Sequence, residues 1–230
     1  MGIKENLDRV LEEIAAAARI SGRDAESVKL LAVSKFHPQE AVREALSCGQ
    51  FLFGENRVQE AELKFSGLNG EFPRLRLHLI GTLQRNKVKR ILPLVSCIQS
   101  LDRLELLLEI EKRAAECGKE ISVLFELHTG EESKSGYADL SSLFASIDAL
   151  EFCPHVRCRG LMTMAPFTED ESAVRASFQK LRAAQEECGK RWPALDFSEL
   201  SMGMSSDFRI AIEEGSTMVR IGTAVFGARA

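Results

Sequence analysis

Val28-Lys29-Leu30-Leu31-Ala32-Val33-Ser34-Lys35-Phe36-His37 is the stretch that decides the fold. Residues 28–34 form a short apolar run rich in strand formers. Periodicity does not separate a buried strand from a buried helix at this length, but the shortness of the run and its flanks favour a strand. Upstream, Leu7, Val10, Leu11 and Ile14 recur at helical spacing with Lys4, Asp8, Glu12 and Glu13 on the other face, which predicts one leading helix. Downstream, seven more strand-like runs follow at 51–53, 75–80, 97–99, 121–127, 156–162, 197–201 and 218–221. Helical segments separate them. One opens at Pro38 and ends near Cys48-Gly49. Others cover 57–65 and about 86–92, and one is capped by Asp102 and closes at Cys117-Gly118. The rest cover 140–150, 171 to Cys188-Gly189, and 208–214 with a stop at Gly215.

Eight strands alternating with helices predict a parallel sheet. Eight such units in 230 residues predict closure into a single (β/α)₈ barrel with an extra N-terminal helix, near the short end for that architecture. An open doubly wound sheet is the alternative. No linker, repeat or low-complexity segment interrupts the chain, so residues 1–230 read as one domain.

Bulk properties narrow the function classes. A net charge of −4 argues against a general nucleic-acid grip, which needs a basic face. No stretch approaches the ~20 apolar residues needed to cross a bilayer, and residues 1–20 lack the apolar core of a signal peptide. The six cysteines form no CxxC pair and sit at no zinc-ligand spacing with a histidine, so they read as free thiols of a reducing cytoplasm.

In an α/β barrel the chemistry stands at the C-terminal ends of the strands. The Ser201–Asp207 loop and the Ile221-Gly222-Thr223 turn follow strands seven and eight, where such barrels often bind phosphate. Gly203 and Gly222 would let backbone N–H groups approach an anion, and Ser201, Ser205 and Thr223 offer hydroxyl donors. Either loop alone reads equally well as a helix cap or tight turn; the pair together favours phosphate. Lys35 stands just beyond the first strand. Partial desolvation would make its neutral amine a nucleophile, whereas a lysine snorkelling to solvent is the plainer alternative. An amine facing a phosphate cradle suits a phosphorylated aldehyde or ketone, with pyridoxal phosphate and a sugar phosphate both fitting. Arg220, one residue before Ile221, could reach the far side of an aromatic ring and donate to a pyridine nitrogen, or could pair with a nearby carboxylate. Asn56 and His78 are read as mouth residues or as satisfied turn and core residues. Lys134, in the segment 131–136, is read as solvated charge.

The ordered motifs Leu31-Ala32-Val33-Ser34-Lys35, Phe53-Gly54-Glu55-Asn56-Arg57-Val58-Gln59-Glu60, His78-Leu79-Ile80-Gly81, Leu83-Gln84-Arg85-Asn86-Lys87, Gly160-Leu161-Met162-Thr163-Met164, Ser201-Met202-Gly203-Met204-Ser205-Ser206-Asp207 and Val219-Arg220-Ile221-Gly222-Thr223 resemble the pyridoxal phosphate homeostasis proteins along nearly the whole chain. The resemblance implies a barrel like the N-terminal domain of alanine racemase. It implies pyridoxal 5′-phosphate as a Schiff base on Lys35, its phosphate around Ser201, Gly222 and Thr223, and Arg220 at the pyridine nitrogen, with Asn56, His78, Met202 and Gly203 also expected at the cofactor. It implies a role in vitamin B6 balance without established catalysis, with pyridoxal phosphate-dependent apoenzymes as candidate partners; the free thiols point to the cytoplasm, and the expected lack of a partner domain points to a monomer. Phe36-His37, Thr82, His128 and Thr129 depart from the family pattern. The chain ends at Ala230, soon after the Gly222-Thr223 turn, so no room is expected for a second domain carrying another base. The competing readings are an amino-acid racemase, with Lys35 as one base and His78 or Tyr137 as the other, and a Schiff-base aldolase.

Overall fold

A computed structural model describes residues 2–130 and 135–227; Lys134 lies outside the described residues. Eight parallel strands close into a barrel in sequence order. They are β1 (Lys29–Val33), β2 (Leu52–Glu55), β3 (Arg76–Leu79), β4 (Cys97–Leu101), β5 (Ile121–Glu126), β6 (Val156–Met162), β7 (Glu199–Ser201) and β8 (Met218–Ile221). The expected architecture is what is observed, including the leading helix α1 (Ile3–Ile20).

The outer layer continues with α2 (Gln39–Ser47), α3 (Val58–Phe65), α4 (Leu68–Glu71), α5 (Val88–Ile91), α6 (Leu104–Cys117), α7 (Leu140–Asp148), α8 (Glu171–Arg191), α9 (Phe208–Glu213) and α10 (Thr223–Phe226). The continuous apolar core lies between these helices and the strands, with Phe53, Phe65, Phe125 and Phe178 fully buried in it. Inside the barrel, two small apolar groups remain: Leu31, Val33 and Met218 on one side, Cys97, Leu124 and Met162 on the other. Because successive strand residues alternate between faces, each strand gives every second side chain to this interior.

Several boundaries differ from the sequence reading. Asp102 does not cap α6; the cap position is Arg103, and Asp102 instead pairs with the Arg103 guanidinium. Helix α8 runs through Cys188-Gly189 to Arg191. An interior glycine costs a helix ~1 kcal/mol without ending it, and the stop comes at Trp192, just before Pro193. Sequence reasoning missed α4 and α10, each four residues long. Helix α1 reaches across to α10: Asn6 Nδ2 donates to the Val225 carbonyl at 3.0 Å, which ties the end of the barrel to its beginning. All six cysteines are free thiols, four of them buried. Among the described residues, no helix is long and apolar enough to cross a membrane.

Strand β6 carries a bulge. Val123 pairs with Cys158 but Leu124 pairs with Gly160, so Arg159 is the extra residue. Gly160 has φ +145, and a Cβ there would fall 1.9 Å from the Glu199 carbonyl oxygen. Gly160→Ala is therefore expected to destabilise the protein by about 3 kcal/mol or more, read as a fall in the urea midpoint. Gly189→Ala, inside α8 with open space around its Cβ, should instead raise stability by up to ~1 kcal/mol.

Candidate functional site

The C-terminal mouth of the barrel holds a cavity of ≈ 330 Å³, within the ~300–1,000 Å³ range of small-molecule sites. Lys35, Asn56, Arg220, Gly222 and Thr223 line it, with Met204, Ser205 and Ser206 completing one wall. Six of the site candidates singled out in the sequence, Ser205 among them, thus meet in one place. A shallower depression of ≈ 570 Å³ flanks it, lined by Asn56, Arg57, Gln84 and Lys87, and does not include Lys35.

Two turns form the polar wall. In the first, Met204 N–H donates to Asp207 Oδ1 at 2.5 Å while the Asp207 and Phe208 N–H groups return to the Met204 carbonyl. The Ser205 and Ser206 N–H groups are then the opening donors of the turn into α9. In the second, Val225 and Phe226 donate to the Gly222 carbonyl at 2.9 Å, so Thr223 and Ala224 open α10. Gly222 fits closely: a Cβ would lie 3.0 Å from the Val33 carbonyl oxygen.

Arg220 edges the same cavity and is buried. Its Nη1 donates to the Ser201 carbonyl (2.7 Å) and Oγ (2.8 Å), and its Nη2 to the Thr163 carbonyl (2.7 Å). Ser201 Oγ donates in turn to Gln99 Oε1 at 2.6 Å, and Gln99 Nε2 lies 2.8 Å from His78 Nδ1. A polar chain therefore crosses the barrel from His78 to Arg220 and fixes the plane of the guanidinium. Burial pulls the Arg220 guanidinium down to about 10, still protonated at neutral pH. Burial, with the charge of Lys29, holds the His78 imidazole down at about 3, so it is neutral and Nδ1 accepts from Gln99.

Four of the expected mouth residues stand elsewhere. His78 lies one layer deeper and opens toward the opposite end of the barrel, beside Lys29, Arg76 and Cys97. Ser201 does not line the cavity; it holds Arg220. Met202 faces the helices in the outer core. Gly203, at φ +98, packs against α9, where a Cβ would meet Ala211 Cβ at 2.6 Å. The missing Cβ serves close packing, and Gly203 does not line the cavity. Sequence reasoning missed Ser206, Gln99 and Thr163. A polar Gln99 within the apolar run Cys97-Ile98-Gln99 was the available signal for the buried chain.

The turn carrying Lys35 is tightly held. Phe36 has φ +66, a left-handed conformation that strains a bulky residue by ~1–3 kcal/mol. Ser34 Oγ donates to the buried Glu55 Oε1 at 2.6 Å. Burial pushes the Glu55 carboxyl up, opposed by its bonds to Lys64 and Ser34.

Three comparisons bear on this geometry. The family described as "Alanine racemase, N-terminal domain" matches residues 6–230. A pyridoxal phosphate homeostasis protein of Aquifex aeolicus is 42% identical over 229 residues, covering 100% of this chain and 99% of the relative. One from Pseudomonas aeruginosa is 40% identical, covering 99% and 96%. The chain belongs to the pyridoxal phosphate homeostasis protein family. The structure of PipY from Synechococcus elongatus PCC7942, with pyridoxal phosphate (PLP) bound, superposes with a TM-score of 0.86 at 36% identity, covering 98% of this chain and 100% of that one. Alanine racemase from Bacillus anthracis shares the fold at a TM-score of 0.72 and 15% identity; this chain spans 56% of its length.

In this family member a buried carboxyl stands close enough to Arg220 to feel its charge. Glu126, at the end of β5, is 1% exposed. Its Oε1 accepts from Ser135 Oγ at 2.8 Å, and its Oε2 has no hydrogen-bond partner among the described residues. Burial pushes this carboxyl up to about 7, against the opposing pull of Ser135 and Arg220. A carboxyl raised in the folded state stabilises the protein at low pH and loses that contribution as pH rises from about 4.5 to about 7. The shift corresponds to about 3 kcal/mol. The urea midpoint of the cofactor-free wild type should fall across that window, and that of Glu126→Gln should fall less.

Proposed function

We propose that this chain holds pyridoxal 5′-phosphate as a Schiff base on Lys35 and buffers or delivers it to PLP-dependent apoenzymes, without catalytic turnover of its own. One observation carries the reading: an amine, a buried guanidinium and two turns rich in N–H and hydroxyl donors line a single cavity of ≈ 330 Å³. The PLP-bound PipY neighbour supports it.

The residues fit the group. When bound, the cofactor supplies an aldehyde and an electron-accepting pyridine ring. Lys35, which lines the cavity, would hold it through its side-chain amine. The Ser205, Ser206 and Thr223 hydroxyls, with the N–H groups opening the two turns, would hold the phosphate. Arg220, protonated and fixed by Ser201 and Thr163, would donate to the pyridine nitrogen. A guanidinium does not give up its proton in this setting, so that nitrogen would stay unprotonated and the ring would be a weak electron sink. Asn56 completes the wall.

The racemase alternative requires a second base on the opposite face of the substrate. Neither proposed candidate lines the cavity. His78 is neutral and engaged by Gln99 in the deeper layer. Tyr137 is buried in the outer core against Phe125, and burial pushes its hydroxyl above its ordinary range. The reading extends to a one-domain monomer in the cytoplasm, where six free thiols suit a reducing compartment.

The test is the absorption spectrum of purified protein with PLP, before and after borohydride reduction, followed by peptide mapping. A visible band lost in Lys35→Ala, and a reduced adduct on the Lys35 peptide, are expected. An adduct on a different lysine would overturn the assignment. Deuterium exchange at amino-acid Cα at ordinary enzymatic rates would overturn the non-catalytic role.

A further inference from the structure

We propose that Lys64 is a positioning residue for Lys35. Its buried ammonium, together with Glu60, clamps the two peptide groups that flank Lys35 and so fixes where that amine stands at the cavity. The inference rests on the reading that Lys35 carries the cofactor.

Lys64 lies near the end of α3 and is 5% exposed. A buried ammonium is costly unless its donors are used. All three N–H groups of Lys64 are engaged: to the Ser34 carbonyl at 2.7 Å, to Glu55 Oε1 at 2.8 Å and to Glu60 Oε2 at 3.1 Å. The Ser34 carbonyl belongs to the peptide that joins Ser34 to Lys35. Glu60 Oε2 also accepts the Phe36 N–H at 3.0 Å, which belongs to the peptide that joins Lys35 to Phe36. The backbone of Lys35 is thereby gripped on both sides by one Lys–Glu pair of a neighbouring helix.

The grip acts together with the turn bond from His37 N–H to the Ser34 carbonyl (3.1 Å) to hold the left-handed Phe36. A strained residue persists only where its surroundings over-determine it. Here the carbonyl before Lys35 and the N–H after it are each pulled to a fixed charged partner. Glu55 adds a third point by holding both Lys64 and the Ser34 hydroxyl. An apolar side chain of similar size would fill the space left by Lys64, but it would bind neither peptide group. Lys64 itself does not line the cavity, so its part is to place Lys35 and not to replace it.

Two variants test this: Lys64→Met, which removes the ammonium, and Glu60→Ala, which cuts the Phe36 tether at a partly exposed position. Each is titrated with PLP at a temperature well below its own unfolding transition. Dissociation constant, rate of appearance of the visible band and the borohydride-reduced peptide are recorded. The positioning role predicts a Kd raised on the order of tenfold and a slower band in both, with the adduct still on Lys35, because misplacing a reacting group by about 1 Å costs one to two orders of magnitude. A purely structural role predicts a lower unfolding temperature with Kd and rate unchanged, and that result overturns the inference while the site reading stands. Absence of a Lys35 adduct in the wild type overturns both. If Lys64→Met does not fold, Glu60→Ala decides alone.

Discussion

The pairing of β1 with β8 is the constraint on which the site depends. Barrel closure sets Leu31 against Arg220 and Ala32 against Ile221. The alternation of strand side chains then does the rest: Leu31, Val33 and Lys35 share one parity on β1 and beyond it, and Met218, Arg220 and Gly222 share one on β8. The first and last strands of the fold therefore send an amine, a guanidinium and a tight turn to the same mouth. A slip of one residue between them would turn one of these sets into the helical layer.

Buried charge is the second theme. Arg220, Glu126 and the Lys64–Glu55 pair are all withdrawn from water near this mouth. Such groups stabilise a fold weakly, and their removal leaves partners unpaired. What Arg220 and the Lys64–Glu55 pair do here is orient. Arg220 is held flat by the Ser201 and Thr163 carbonyls, and the hydroxyl of Ser201 is set by Gln99. The amine-bearing turn is held by Lys64 and Glu60. The mouth is thus a rigid frame around a cavity, with its polar chains running back through the barrel interior and into α3. Helix α1 supports the remaining wall through Asn6 and the α10 carbonyl of Val225.

The eight strands were readable because each is a short apolar run between turn residues, and the mouth was readable because function in this architecture sits at strand ends. Lys35, Asn56, Ser205, Arg220, Gly222 and Thr223 were each placed there beside a plainer alternative, and all six line the cavity. His78 and Ser201 do not, because both stand on inward strand positions one layer below the rim, and a sequence does not show how deep a strand end reaches. Met202 and Gly203 share a loop with Ser205 and Ser206, and only the turn closed by Asp207 separates those that pack from those that line the cavity. Lys64 left no signal at all. With Glu60 four residues before it, it reads as an ordinary surface pair on a helix; its true partners come from β1 and β2. The helix stop at Arg191 was misread because glycine marks a helix end only when its left-handed conformation is used.

The most direct test is a crystal structure of the protein soaked with pyridoxal 5′-phosphate. The account predicts density continuous from Lys35 Nζ to the cofactor, the phosphate against the Ser205–Ser206 and Gly222–Thr223 turns, and Arg220 facing the ring nitrogen. Cofactor seated elsewhere, or its ring turned so that Arg220 meets the phosphate, would contradict it.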